Sequence, residues 1–188
     1  MRLSYLILLA LGLVLFSCSD DSDEPTEGLI INYDSDNVTA PNLPAGFYEF
    51  AVRFPANITR DLVDRQLTQV SFYLYERPDE LWITVSPDAT ATTPGNLLVE
   101  QQVTNLRSNS WNTISLDSPY TFSNNAPIWI GVQIIHNQSA LQTVGCDAGP
   151  ANPNGDWLFD DADGQWLTFR DRVNDSVNWN IRAIISDQ

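Results

Sequence analysis

The chain has 188 residues, is 43% hydrophobic and carries a formal net charge of -15. All nine basic residues are arginine, and an acidic surface of this kind repels phosphate backbones and anionic lipid, which argues against nucleic-acid binding. The length suits one domain with its own hydrophobic core, and two cysteines are too few for a disulfide framework.

The first 17 residues predict a secretory signal peptide. Arg2 precedes an apolar run from Tyr5 to Phe16, and the small residue Ser17 follows. Cys18 comes next, and this order resembles the bacterial lipobox, which implies that the Cys18 thiol is lipidated and becomes the new N-terminus. A transmembrane anchor and a plain secreted protein are the alternatives, although the apolar run is shorter than the roughly 20 residues that span a bilayer.

The residues after Cys18 predict a location. Residues 18–27 consist of Cys18 followed by serine, aspartate, glutamate, proline and threonine, a composition typical of a flexible acidic tether. Ser19 stands next to the cysteine and the acids begin at Asp20, a pattern that resembles the acidic export tags of Gram-negative surface lipoproteins. We therefore expect a lipid-anchored, surface-exposed protein of the outer membrane.

Residues 28–188 have the hydrophobic pattern of an all-β domain. Apolar residues alternate with polar ones, and turn-forming pairs such as Pro94-Gly95 and Asn124-Asn125 separate the runs. This predicts a single antiparallel two-sheet β-sandwich, with one short helical turn at 60–65. The predicted strands are 48–54, 70–74, 81–85, 97–103, 111–116, 128–135 and 179–185.

The segment 143–170 is rich in glycine and proline and is predicted to carry the binding surface. Trp157 and Trp166 are the candidate ligand-stacking residues, and Asp147 and Asp156 are candidate polar contacts in the same segment. The alternative is that the two tryptophans close one end of the sandwich. Three tryptophans in strand patterns are expected to pack in the core or on a sheet face: Trp82, Trp129 and Trp179.

An acidic cluster in this segment is a candidate calcium site. Asp160, Asp161 and Asp163 supply hard oxygen ligands before Gly164, a feature shared with calcium-binding loops. The spacing and the closing glutamate of an EF-hand are missing. The alternative is an Asp-Gly hairpin turn between two short strands. Apart from a structural Ca²⁺, no cofactor is predicted.

Little in the chain predicts catalysis. Cys146 would need a histidine partner as a nucleophile, and His136 is the only one, so Cys146 is interpreted as a buried structural thiol. Carboxylates could hydrolyse a glycoside, but their separation is not given by the sequence. A glycoside hydrolase is therefore the less favoured hypothesis, and we expect a protein that is not an enzyme.

Five segments resemble a jelly-roll-like β-sandwich found in cell-surface adhesins and secreted peptidases of Gram-negative anaerobes. The similarity covers about residues 45–186 and implies a binding or accessory module for a glycan or a surface protein. A structural or assembly subunit of a surface complex is the alternative. The segments that carry the resemblance are 110–114, 129–132, 147–150, 155–157 and 178–183.

Overall fold

The computed structural model describes residues 28–186, which form an all-β antiparallel fold with two short helices. The predicted signal peptide, Cys18 and the predicted acidic tether lie outside the described residues. The strands are β1 (Leu29–Ile31), β2 (Asn42–Leu43), β3 (Gly46–Phe54), β4 (Gln66–Leu74), β5 (Glu80–Thr90), β6 (Thr93–Pro94), β7 (Val99–Gln102), β8 (Ser110–Thr121), β9 (Ile128–His136), β10 (Leu141–Gln142), β11 (Trp157–Asp160), β12 (Gln165–Thr168) and β13 (Ile181–Ser186).

Two antiparallel sheets form the sandwich. The smaller has the order β1-β13-β4-β8, and the larger has the order β12-β11-β3-β9-β5-β6, with β7 also paired to β5. A separate short ribbon joins β2 to β10. The predicted two-sheet sandwich is confirmed.

One hydrophobic core lies between the sheets. On β3 the side chains of Tyr48, Phe50, Val52 and Phe54 are buried in it, because alternate residues of a strand point to opposite faces. The smaller sheet contributes β4 and β13. The rings of Phe50 and Trp179 meet in a T-shaped contact with centroids 5.0 Å apart. The intervening residues of β3 therefore lie on the outer face of the larger sheet.

The helical prediction was displaced by a few residues. Helix α1 covers Ala56–Thr59 and continues as a single 3-10 turn at Arg60–Leu62, where 60–65 was expected. A second helix, α2 (Phe169–Val173), was not predicted; the Thr168 side chain caps it by accepting from the Asp171 N–H. Among the described residues, no helix is long and apolar enough to span a membrane.

Candidate functional site

The outer face of the larger sheet carries a continuous row of aromatic and polar side chains. Strand register places one residue from each of six adjacent strands directly opposite the next. We call this the central row: Trp166, Phe159, Glu49, Gln133, Trp82 and Gln102. All six are at least partly exposed.

Glu49 reaches across the neighbouring strand to contact β5. The Thr84 hydroxyl donates a hydrogen bond to Oε1 of Glu49 at 2.5 Å. The two side chains meet above Gly131 on β9, where an added Cβ would overlap both of them. Glycine at this position is therefore what lets the carboxyl of a β3 residue reach a β5 residue.

Burial sets the protonation of Glu49. The carboxyl lies low between the strands, and this desolvation raises its pKa from 4.5 to about 7, against the opposing effect of the Thr84 hydrogen bond. The negative charge of Glu100, which stands opposite Thr84 on β7, raises the pKa further. Near neutral pH, Glu49 can both donate and accept hydrogen bonds.

Two side chains of the central row have free binding groups. Within residues 28–186, the Trp82 indole makes no ring contact with another aromatic side chain and its N–H meets no acceptor. The Gln133 amide likewise has no hydrogen-bond partner in this part of the chain. An aromatic face and an amide beside a carboxyl are the groups that bind a polar ligand with apolar faces.

The other end of this face is built from packed aromatic rings. Trp129 contacts Trp157 and Trp166, with ring centroids 5.2 and 5.5 Å away. The Trp129 indole N–H donates to Asp88 at 2.6 Å, and Asp88 also accepts two hydrogen bonds from Arg53. This end is held rigidly, which fixes the position of Trp166 beside Phe159.

The two tryptophans predicted to bind ligand have different positions. Trp166 is partly exposed and belongs to the central row, whereas Trp157 is only 7% exposed and packs against Trp129. Of the glycine- and proline-rich segment 143–170, the first half is mostly loop, and β11 and β12 form a regular hairpin that extends the larger sheet. Trp157 lies on the same outer face, beside the central row, and packs against Trp129.

Asp147 and Asp156 are buried and bound internally. Asp147 accepts hydrogen bonds from the backbone N–H groups of Asn178, Gly149 and Ser35. Burial would raise the pKa of Asp147, but these bonds and the Asn178 amide together lower it. Asp156 is fully buried and forms an ion pair with Arg170 at 3.2 Å, and burial raises its pKa. Both carboxylates hold loops together and neither reaches the central row.

The acidic cluster forms the Asp-Gly hairpin turn between β11 and β12. Gly164 adopts the left-handed conformation with φ of +65°, and Asp160 and Asp163 each accept a hydrogen bond within the turn. Arg172 on α2 forms an ion pair with Asp163. In the part of the chain that the structure describes, no group of three or more potential metal ligands occurs. Asp160 and Asp163 thus serve the turn, and calcium binding by Asp160, Asp161 and Asp163 stays a prediction.

Cys146 has the structural role that was predicted for it. Its thiol is buried, and burial together with the charges of Asp147 and Asp175 raises its pKa to about 12. A thiol in this environment is protonated at neutral pH and unreactive. His136 is also buried and stacks on Tyr48.

Sequence reasoning missed the centre of the site. Glu49 lies within the predicted strand 48–54 but was not a candidate site residue, although a lone carboxylate among apolar and aromatic strand residues is a usable signal. Trp82 was expected to pack in the core or on a sheet face, and it lies partly exposed on the outer face of the larger sheet, where it was not expected to bind ligand. Trp129 and Trp179 are buried, as expected.

Fold and site together define an all-β sandwich domain with an exposed aromatic and carboxyl face. No family model and no curated protein matches the chain. Its fold is similar to a structure of the clostridial cysteine protease Cwp84 after propeptide cleavage, at 14% identity and a TM-score of 0.60, covering 85% of this chain and 40% of that one.

A second structure shares the fold. It contains the cysteine protease and lectin-like domains of Cwp84, a surface layer associated protein of Clostridium difficile, and matches at 15% identity and a TM-score of 0.58 over 83% of this chain and 37% of that one. The chain therefore spans well under half the length of either solved chain. At these identities the likeness establishes the fold alone.

Proposed function

We propose that this protein is a non-catalytic surface lipoprotein whose β-sandwich binds a glycan on the outer face of the larger sheet. The observation that carries the proposal is the central row, in which Glu49 and the unpartnered Gln133 amide lie between aromatic side chains at Phe159 and Trp82. Aromatic faces stack on the apolar faces of sugar rings, while carboxyl and amide groups bind the hydroxyls.

Surface display is part of the same proposal. The signal peptide, the lipobox-like Cys18 and the acidic tether support a lipid anchor, which two or more acyl chains would hold stably in the outer membrane. A structural neighbour described as a surface layer associated protein with a lectin-like domain is compatible with this location and with glycan binding.

A glycan array probed with the full-length protein in detergent tests the binding function. We expect signals on a small set of related glycans, a loss of at least tenfold in affinity for Glu49→Ala, and recovery of the bound glycan uncleaved. Trp111→Ala is the matched control, because Trp111 is a partly exposed tryptophan on β8 of the other sheet. A silent array together with a cross-linked protein partner would support a protein ligand or an assembly role instead.

Cell fractionation tests the anchor. Wild-type protein is expected in the outer-membrane fraction and accessible to protease on intact cells, whereas Cys18→Ala should release it from membranes. Ser19→Ala is the control, since it changes the neighbouring residue without removing the thiol. Membrane retention of Cys18→Ala would contradict lipidation and leave the binding proposal untouched.

A further inference from the structure

The aromatic side chains of the central row are too far apart for one sugar ring. Phe159 lies on β11 and Trp82 on β5, with β3 and β9 between them. Adjacent strands are about 4.8 Å apart, so the two side chains stand on strands separated by about 14 Å. A ligand that contacts both must therefore be longer than a monosaccharide and must run across the strands.

The space between the two aromatic positions is polar. Glu49 and Gln133 occupy the intervening strands, and the Gln133 amide has no partner within residues 28–186. Thr84 holds the Glu49 carboxyl in place from one side. Each part of a ligand that lies along the central row would thus contact an aromatic side chain or a hydrogen-bonding group.

The charges on this face disfavour an anionic ligand. On the outward face, β3 carries the carboxyl group of Glu49, β5 those of Glu80 and Asp88, and β7 that of Glu100, while β9 between β3 and β5 carries none. Arg53 is the one cation at these positions, and its guanidinium is bound to Asp88 at 2.6 Å. Carboxylate or sulfate groups on a ligand would find no free cation here and would be repelled.

We infer that the site binds an extended, uncharged oligosaccharide laid across the strands, with separate stacking positions at Phe159 and Trp82 and Glu49 between them. This inference rests on the proposed function and specifies its ligand class. It requires that affinity grow with chain length until both aromatic positions are filled, and that each aromatic side chain serve a different part of the ligand.

Calorimetry with a length series tests it. The full-length protein is titrated with the mono- to hexasaccharides of the strongest neutral array ligand, and with an array glycan of similar length that carries uronic acids. We expect at least a tenfold gain in affinity between the disaccharide and the tetrasaccharide, a plateau beyond that length, and at least tenfold weaker binding of the acidic glycan. Trp82→Ala should abolish the gain with length, and Trp111→Ala should retain it.

The outcomes separate the two proposals. A monosaccharide that binds as tightly as the tetrasaccharide, or an acidic glycan that binds more tightly, would overturn the inference while glycan binding stands. Unchanged length dependence in both Trp82→Ala and Phe159→Ala would place the ligand elsewhere on the protein. If no glycan on the array binds, the proposed function fails and the inference fails with it. Circular dichroism of each variant distinguishes lost contacts from lost folding.

Discussion

Replacing Glu49 by glutamine should change how stability depends on pH. The folded-state pKa of about 7 lies above the ordinary value of 4.5, so the folded protein keeps a proton that the unfolded chain releases between these pH values. Stability contributed by Glu49 is therefore full below pH 4.5 and is lost as the pH rises toward 7. Glutamine occupies the same space, can still hydrogen-bond to Thr84 and does not titrate.

The size of the stability loss follows from the pKa shift of Glu49. At 1.36 kcal/mol per pKa unit, the rise from 4.5 to about 7 corresponds to about 3 kcal/mol. Since the residue is partly exposed, a loss of about 2–3 kcal/mol is the appropriate expectation, or about 5–10 °C in the midpoint of thermal unfolding for a domain of this size. Glu49→Gln should match wild type near pH 4.5 and exceed it by this amount at pH 8.

Chemical denaturation at half-unit steps from pH 4.5 to 8.5 measures the effect. The difference between wild type and Glu49→Gln isolates Glu49 from the other titrating groups, including Asp156. Glu100→Gln is the control: it should keep the pH-dependent loss and shift its midpoint slightly downward, because a neighbouring negative charge has been removed. The reasoning would be refuted if the difference in stability between wild type and Glu49→Gln did not change with pH. It would also be refuted if wild type gained stability relative to Glu49→Gln as the pH rises.

Three further substitutions probe the supports of the site and fold. Gly131→Ala should separate the Glu49 carboxyl from the Thr84 hydroxyl, lower the free energy of unfolding in urea by about 1–3 kcal/mol and weaken glycan binding. A variant as stable as wild type would contradict the close contact of these two side chains above Gly131. Asp147→Asn should cost about 2–4 kcal/mol at pH 7, and this deficit should shrink as the pH falls below 3.8, because the folded-state pKa of Asp147 is lowered. Phe50→Ala should cost about 3–5 kcal/mol by thermal or urea unfolding, since its ring is fully buried against Trp179, and a loss below 1 kcal/mol would argue against that packing.

The strands of the core could be predicted because each alternates in polarity. The pattern of 128–135 corresponds to β9 within one residue, and the pattern of 70–74 forms the second half of β4. The hairpin of β11 and β12 was predictable from its Asp-Gly turn and not from periodicity, because its four-residue strands are too short for a reliable period. Helix α2 depends on a cap from Thr168 and on burial of Phe169. Neither feature can be predicted from the spacing of hydrophobic residues.

The central row could not be predicted because it depends on register between strands distant in sequence. Phe159 and Glu49 are 110 positions apart and become neighbours only when β11 pairs with β3. The candidates taken from local composition, Asp147 and Asp156, were residues that glycine-rich loops bury for their own hydrogen bonds. Local density of acidic residues therefore indicated where the loops are stabilised, and of the four ligand candidates chosen from this segment only Trp166 lies in the central row.

The raised pKa of Glu49 means that its ionised form lowers the stability of the fold above neutral pH, and this is the physical argument that the residue serves a ligand. Its neighbours on the outer face, Ala51 and Gly131, are small and uncharged, and a neutral amide at position 49 would keep the contact with Thr84 without the penalty of an ionised buried group. A substitution that raises stability above pH 7 while lowering affinity for a glycan is the signature of a residue held for binding. If Glu49→Gln raises stability and leaves binding unchanged, the carboxyl has no function at this site.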